Sequence, residues 1–119
     1  MRLALYFVAF FSLVVGLLAR EPREEARIEG IINAVEGLKG ALFIRNGSDY
    51  DAKAAAGHLR LKLSRAGKRI NTAEQFIEYC ASRSSFTGEK YKIKLADGQV
   101  IEAAVFFKNK LKEIDERAK

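Results

Sequence analysis

Six consecutive residues, Arg45-Asn46-Gly47-Ser48-Asp49-Tyr50, gather a guanidinium, an amide, a hydroxyl and a phenol around one glycine. A turn of this kind leading into a helix suits an anion, because a helix N-terminus offers unpaired N–H groups and the positive end of the dipole. On that reading Arg45, Asn46 and Ser48, with Tyr50 beside them, form a pocket for a carboxylate or phosphate. A structural reading competes with it: Asn46 and Ser48 bond backbone amides within the turn, and Arg45 pairs with an acid.

His58 is the single histidine, with Leu61 three and Lys62 four residues on, so on a helix its ring faces partly toward solvent. Three roles are open to it. As a general base it needs an orienting carboxylate and a nucleophile such as Ser84 or Ser85, and no spacing in the sequence brings these together. As an interior histidine it only hydrogen-bonds, and as a ligand contact it joins the Arg45 turn. One histidine and one cysteine without clustered spacing give a metal nothing to hold, and no cofactor motif is present.

His58, Lys62, Arg65 and Arg69 follow a helical stripe, with Lys53, Arg60 and Lys68 nearby. Such a cationic side fits anionic lipid head groups, lipopolysaccharide phosphates or an acidic protein, or else it is a solvated face balanced by Glu74, Glu78 or Glu89. The hydroxyl-rich run from Ser82 to Gly88 either connects elements or brings Arg83, Ser84 and Ser85 to the Arg45 turn to line one cleft. The candidate ligand-binding set is therefore Arg45, Asn46, Ser48, Tyr50, His58, Lys62, Arg69, Ser84 and Ser85. No residue is assigned a catalytic or metal-binding role.

The elements that must position these residues follow from hydrophobic periodicity. Ile28, Ile31, Ile32, Val35 and Leu38 recur at three- and four-residue steps, which predicts an amphipathic helix from Pro22 to Leu38. Pro22 suits its first turn, Glu24 and Glu25 its N-terminal dipole, and Gly40 its end. Leu42 to Arg45 reads as a short strand entering the Asn46-Gly47-Ser48 turn. Ser48 or Asp51 caps a second helix running to about Ala66, and Asn71 or Thr72 caps a third that buries Ala73, Phe76, Ile77 and Cys80. Tyr91, Ile93 and Leu95 alternate with lysines before Asp97-Gly98, the signal of a β-hairpin. A hairpin is marginal alone, so its apolar face must lie on helices, and Ala104, Phe107, Leu111 and Ile114 supply a fourth. The expected class is α+β: a small, mainly helical domain of about four helices with a short antiparallel β-hairpin, behind an N-terminal signal helix.

That signal is the apolar, uncharged run from Leu3 to Ala19 behind Arg2. It reads as an export signal, cleaved after Gly16 or Ala19, or as an uncleaved anchor facing the periplasm. Residues 20–119 then form one domain, since about 100 residues suffice for one modest core and not for two. Removing Met1 to Ala19 takes away Arg2 and no acid, so the net charge falls from +6 to +5. With a single cysteine there is no internal disulfide, and Cys80 on the apolar face of its helix reads as a buried thiol. Basic-plus-aromatic modules that read nucleic acid are missing from the pattern.

The middle of the chain resembles the YfeK-like family, small secreted proteins of Gram-negative bacteria grouped as a domain of unknown function. The resemblance rests on Phe43-Ile44-Arg45-Asn46-Gly47-Ser48 with Tyr50, on Ala55, His58-Leu59-Arg60 and Lys62, and on Ile70, Thr72-Ala73-Glu74 and Phe76-Ile77. It continues through Ala81-Ser82, Ser84-Ser85, Gly88, Tyr91 and Asp97-Gly98, and covers about Glu24 to Leu111. One departure is Phe106-Phe107, where the family pattern leads one to expect Trp-Leu; packing is kept and an indole donor lost. The resemblance implies a periplasmic location and a shared fold, and it makes the Asn46-Gly47-Ser48 match to a glycosylation sequon accidental. It brings no established activity. The functional expectation is a non-enzymatic module binding an anionic small ligand or envelope partner, against a small hydrolase or transferase using His58 with Ser84 or Ser85, or a membrane-anchored structural protein.

Overall fold

The structure is a computed structural model that describes residues 19–119. The expected signal helix therefore lies, as far as Leu18, outside the described residues. Among the described residues no helix is long and apolar enough to cross a membrane.

Helix α1 (Pro22–Glu36) opens with Pro22 in its first turn and buries Ile28, Ile31, Ile32 and Val35. Strands β1 (Leu42–Arg45) and β2 (Ser48–Tyr50) follow, then helix α2 (Ala52–Ala66). A short 3-10 turn, Gly67–Arg69, leads to helix α3 (Ala73–Phe76), which widens into a π turn over Ile77–Ala81. Strands β3 (Lys92–Lys94) and β4 (Val100–Glu102) precede the last helix, α4 (Ala103–Arg117). The α+β class and the four helices stand as expected.

The sheet is larger than expected. Instead of one hairpin with a separate short strand, four strands pair antiparallel in the order β2-β1-β3-β4. Asn46 and Gly47 both take positive φ (51° and 78°), and Arg45 stands opposite Ser48. This is the two-residue turn whose twist matches that of a β-hairpin. Ser48 therefore belongs to β2 and does not cap α2. That cap is Asp51, whose carboxylate accepts from Ala54 N at 2.8 Å.

The register explains the layers. Tyr50 faces Phe43, Phe43 faces Ile93, and Ile93 faces Ile101, so one row of large side chains crosses all four strands. Phe43 and Ile93 are buried in the single apolar core, together with Ala56, Phe76, Ile77, Ala81, Phe107 and the inner face of α1. Arg45 is two residues beyond Phe43 and so points to the same helix-covered face. Phe106 and Phe107 are both buried and edge-to-face, with centroids 5.4 Å apart, so the packing role expected of them holds. Helices α1 and α4 approach so closely at Gly30 that an added Cβ would meet Ile114 Cδ1 at 2.9 Å. Among the described residues the core runs from Ile28 to Leu111, all within residues 20–119.

Candidate functional site

Arg45 ends β1 beneath the first turns of α2, and α2 sets what it meets. His58 and Lys62 lie one helical turn apart on the face that covers the sheet. The Arg45 guanidinium donates to Tyr50 Oη (3.2 Å) and to His58 Nδ1 (3.4 Å), and its carbon sits 5.1 Å from the Tyr50 ring centroid. Among the described residues its buried Nε has no partner. The expectation that Arg45 pairs with an acid fails: no carboxylate reaches it. Since arginine only donates, His58 Nδ1 accepts and the ring proton resides on Nε2. Burial, and secondarily the Arg45 charge, push the His58 pKa below its ordinary 6.5. The ring stands edge-on to Tyr50 at 5.0 Å, which fixes its orientation.

Arg45, Tyr50, His58 and Lys62 line a small inner cavity of about 40 Å³ with Phe43, Leu59 and Tyr91. That volume admits about one water molecule. Arg45, Lys62 and Tyr91 also face outward into a cleft of about 860 Å³ between α2, the turn after it and the Ser82–Gly88 loop. The cleft gathers Asn46, Arg69, Ser84 and Ser85 from the expected set and adds Arg65, Tyr79 and Phe86. Four of its residues are cationic (Arg45, Lys62, Arg65, Arg69), and none is Asp or Glu.

Among the described residues Arg20, Arg23, Arg27, Arg60, Lys90 and Lys110 each pair with a carboxylate; none of the four cleft cations does, a state they share with other lysines and arginines such as Lys53, Lys68 and Lys108. Of the acids expected to balance the stripe, Glu74 is taken by Arg27, and neither Glu78 nor Glu89 pairs with it. Arg60, near the stripe in the sequence, turns away from it and bonds Glu29 and Glu36 of α1. Lys62 donates to Tyr91 Oη (3.1 Å) and to the Arg83 carbonyl (3.2 Å), and Arg69 donates to the carbonyls of Ala66 and Arg65. Four positive charges thus share one concavity.

Asn46 and Ser84 serve the scaffold. Asn46 Nδ2 donates to Ser84 Oγ (3.2 Å), Thr87 Oγ1 donates to Asn46 Oδ1 (2.8 Å), and Ser84 Oγ also accepts from Phe86 N and Thr87 N. A hydroxyl committed to three donors is poorly placed to attack a substrate, and no hydrogen bond joins His58 to Ser84 or Ser85. Ser48 is exposed and lines neither cavity nor cleft, and Arg83 contributes its carbonyl while its side chain faces a neighbouring depression. Cys80 is buried as expected, and burial pushes its thiol pKa up despite the nearby Lys62, Arg69 and Arg20 charges.

The sequence reading missed Tyr91 and Phe86. Tyr91 stands in an apolar strand row, yet its phenol tip is the part that stays polar, and Lys62 sits over its ring at 5.0 Å. Phe86 is a lone aromatic in a run of hydroxyls, a signal the sequence did offer.

Residues 22–115 match the family of unknown function DUF5329. The chain belongs to this family. A DUF5329 domain thus spans α1 to the last turns of α4 and includes every residue of the cleft. The chain is also similar to the "Uncharacterized protein YfeK" of Salmonella typhimurium, 46% identical over 85 residues, covering 66% of this chain and 71% of that protein. The YfeK-like resemblance read from the motifs is thereby borne out. No solved structure matches this DUF5329 chain.

Proposed function

We propose that this DUF5329 domain is an exported, non-enzymatic module that holds an anionic ligand in the cleft between α2 and the Ser82–Gly88 loop. The observation that carries the reading is the set of four cations, Arg45, Lys62, Arg65 and Arg69, gathered without a carboxylate. Like charges brought together repel one another, and the repulsion is relieved when an anion enters. Arg45 is the anchor: β1 and Tyr50 fix its position, neutral His58 takes one N–H, and no acid cancels its charge. Lys62 is held by Tyr91 and the Arg83 carbonyl, so it too is placed before a ligand arrives. The apolar run from Leu3 to Ala19 behind Arg2 supports export.

The test is thermal unfolding of residues 20–119 with inorganic phosphate or pyrophosphate, against chloride at equal ionic strength. A ligand at a hundred times its dissociation constant adds about 2.7 kcal/mol of stability. A saturable rise in Tm is expected, lost in Arg45→Ala and Lys62→Ala and retained in Lys110→Ala, whose ammonium pairs with Glu113. An equal rise in all three variants, or none in the parent, rejects the reading.

A further inference from the structure

Anion binding alone leaves one side chain without a purpose. Phe86 is 98% exposed and stands on the rim of the cleft. An aromatic ring in water gains nothing until something covers it, and on a loose loop it would fold back against the nearest apolar surface. The loop prevents that. Ser84, only 4% exposed, accepts from Phe86 N at 3.2 Å and Thr87 N at 3.3 Å, and Gly88 N donates to Ser84 O at 3.0 Å. Asn46 bonds both Ser84 and Thr87, so the backbone on either side of Phe86 is tied to the β1–β2 turn. The ring is held out by its scaffold.

Its neighbours on the rim are of two kinds. Tyr79 is 60% exposed, and Arg65 and Arg69 carry charges that no carboxylate meets. Aromatic rings set among unpaired cations suit the interface of an anionic bilayer, where rings enter among the head groups and cations meet their phosphates. A soluble anion would use the cations and leave the rings idle. The path of the chain agrees with the bilayer. Arg20 donates to the carbonyls of Ile70 (2.7 Å) and Gly67 (3.4 Å), and Ile70 lines the cleft. Arg20, the residue that follows the apolar stretch Leu3 to Ala19 in the sequence, is therefore held beside this same rim.

We infer that the rim formed by Phe86, Tyr79, Arg65 and Arg69 docks on an anionic lipid bilayer, with the cleft cations receiving head-group phosphates. The inference rests on the reading of those cations as an anion site.

The chain contains no tryptophan, so Phe86→Trp introduces a single fluorescent reporter at the point of contact. Residues 20–119 carrying it are mixed with vesicles of phosphatidylethanolamine and phosphatidylglycerol, or of phosphatidylcholine alone. The indole emission is expected to move to the blue, and to be quenched by lipids brominated on the acyl chain, with the anionic vesicles only. Adding Arg65→Glu and Arg69→Glu, with folding checked by circular dichroism, is expected to abolish both effects. Without the reporter, Phe86→Ser is expected to weaken cosedimentation with anionic vesicles about tenfold. An unchanged spectrum with all vesicles, an equal shift on phosphatidylcholine, or a shift that survives charge reversal overturns the docking. Stabilisation by phosphate without vesicle binding overturns the docking and spares the anion site. Loss of both overturns the two together, and vesicle binding without any response to phosphate overturns the small-ligand reading alone.

Discussion

At the scale of the residue, the protein spends most of its buried hydrogen-bonding capacity and leaves Arg45 partly free. That guanidinium has a phenol and an imidazole for company, and its charge is felt by the imidazole. His58 loses affinity for a proton mainly because it is withdrawn from water and secondarily because Arg45 is close. The order of these causes makes a prediction. In an NMR titration the His58 ring is expected to titrate below 6.5, and Arg45→Gln should raise its pKa part of the way, leaving it still below 6.5, because burial persists. Recovery of the full ordinary value would assign the shift to Arg45 alone. The sign for stability follows from the depressed value: the contribution is whole above 6.5 and is lost as pH falls through the folded-state pKa, where the unfolded chain takes up the proton first. The residue types in this site were legible from the sequence, as was their clustering on one helix face. What could not be read was the partner of Arg45, because His58 lies 13 residues away on a different element.

At the scale of the element, the periodic segments were the easiest to read and the short ones the hardest. Helices α1, α2 and α4 each run 15 residues, long enough for the 3.6-residue repeat to declare itself. Local chemistry narrows the start of α3 to Asn71 or Thr72, and the cap is Thr72, whose capping box with Gln75 has both reciprocal bonds. Strand β2 has three residues, Ser48, Asp49 and Tyr50, too few for alternation to show, and its serine reads equally well as a helix cap. Yet Asn46-Gly47 is a strong hairpin signal, and giving it more weight would have placed Tyr50 opposite Phe43. The Ser82–Gly88 loop shows how one hydroxyl organises such an element. Ser84→Ala leaves two backbone N–H groups and the Asn46 amide without their acceptor, which costs about 1–3 kcal/mol where the groups cannot reach water. Denaturant unfolding is expected to show a loss in that range, whereas Ser85→Ala, exposed and free of such bonds, is expected to change stability by less than about 0.5 kcal/mol. Equal effects from the two serines would remove Ser84 from its role as the loop's anchor.

At the scale of the whole molecule, one arginine ties together elements that the sequence keeps far apart. Arg27 of α1 is 8% exposed and bonds Glu24 (2.7 Å) on its own helix, Glu74 of α3 (2.9 and 3.0 Å) and Asp115 of α4 (3.0 Å through both Nε and Nη2). Glu24, 7% exposed, also accepts from Ala73 N at 2.9 Å, at the start of α3. Periodicity places Arg27 and Glu24 off the apolar stripe of α1, as an ordinary surface pair; that α3 and α4 close over them is set by contacts 47 and 88 residues distant, which no local pattern encodes. Arg27→Met leaves the buried Glu24 carboxylate with the exposed Arg23 as its remaining cation, and a buried charge so weakly compensated costs up to about 3–5 kcal/mol. Glu74 and Asp115 are more exposed and contribute through their protonation. Hydrogen bonds from Arg27 hold both carboxyls below their ordinary values of 4.5 and 3.8. Their contribution is therefore whole above pH 4.5 and is lost as pH falls through the depressed folded-state values, with solvent screening keeping the slope shallow. Unfolding free energy measured by urea across this range is expected to fall with acid in the parent, and to fall less steeply in Arg27→Met because the two depressed pKa values return toward normal. A Glu24→Gln, Arg27→Met double variant is expected to recover part of the loss at neutral pH by removing the buried charge. If the single and double variants are equally unstable, the penalty comes from packing around Arg27 and not from an abandoned carboxylate.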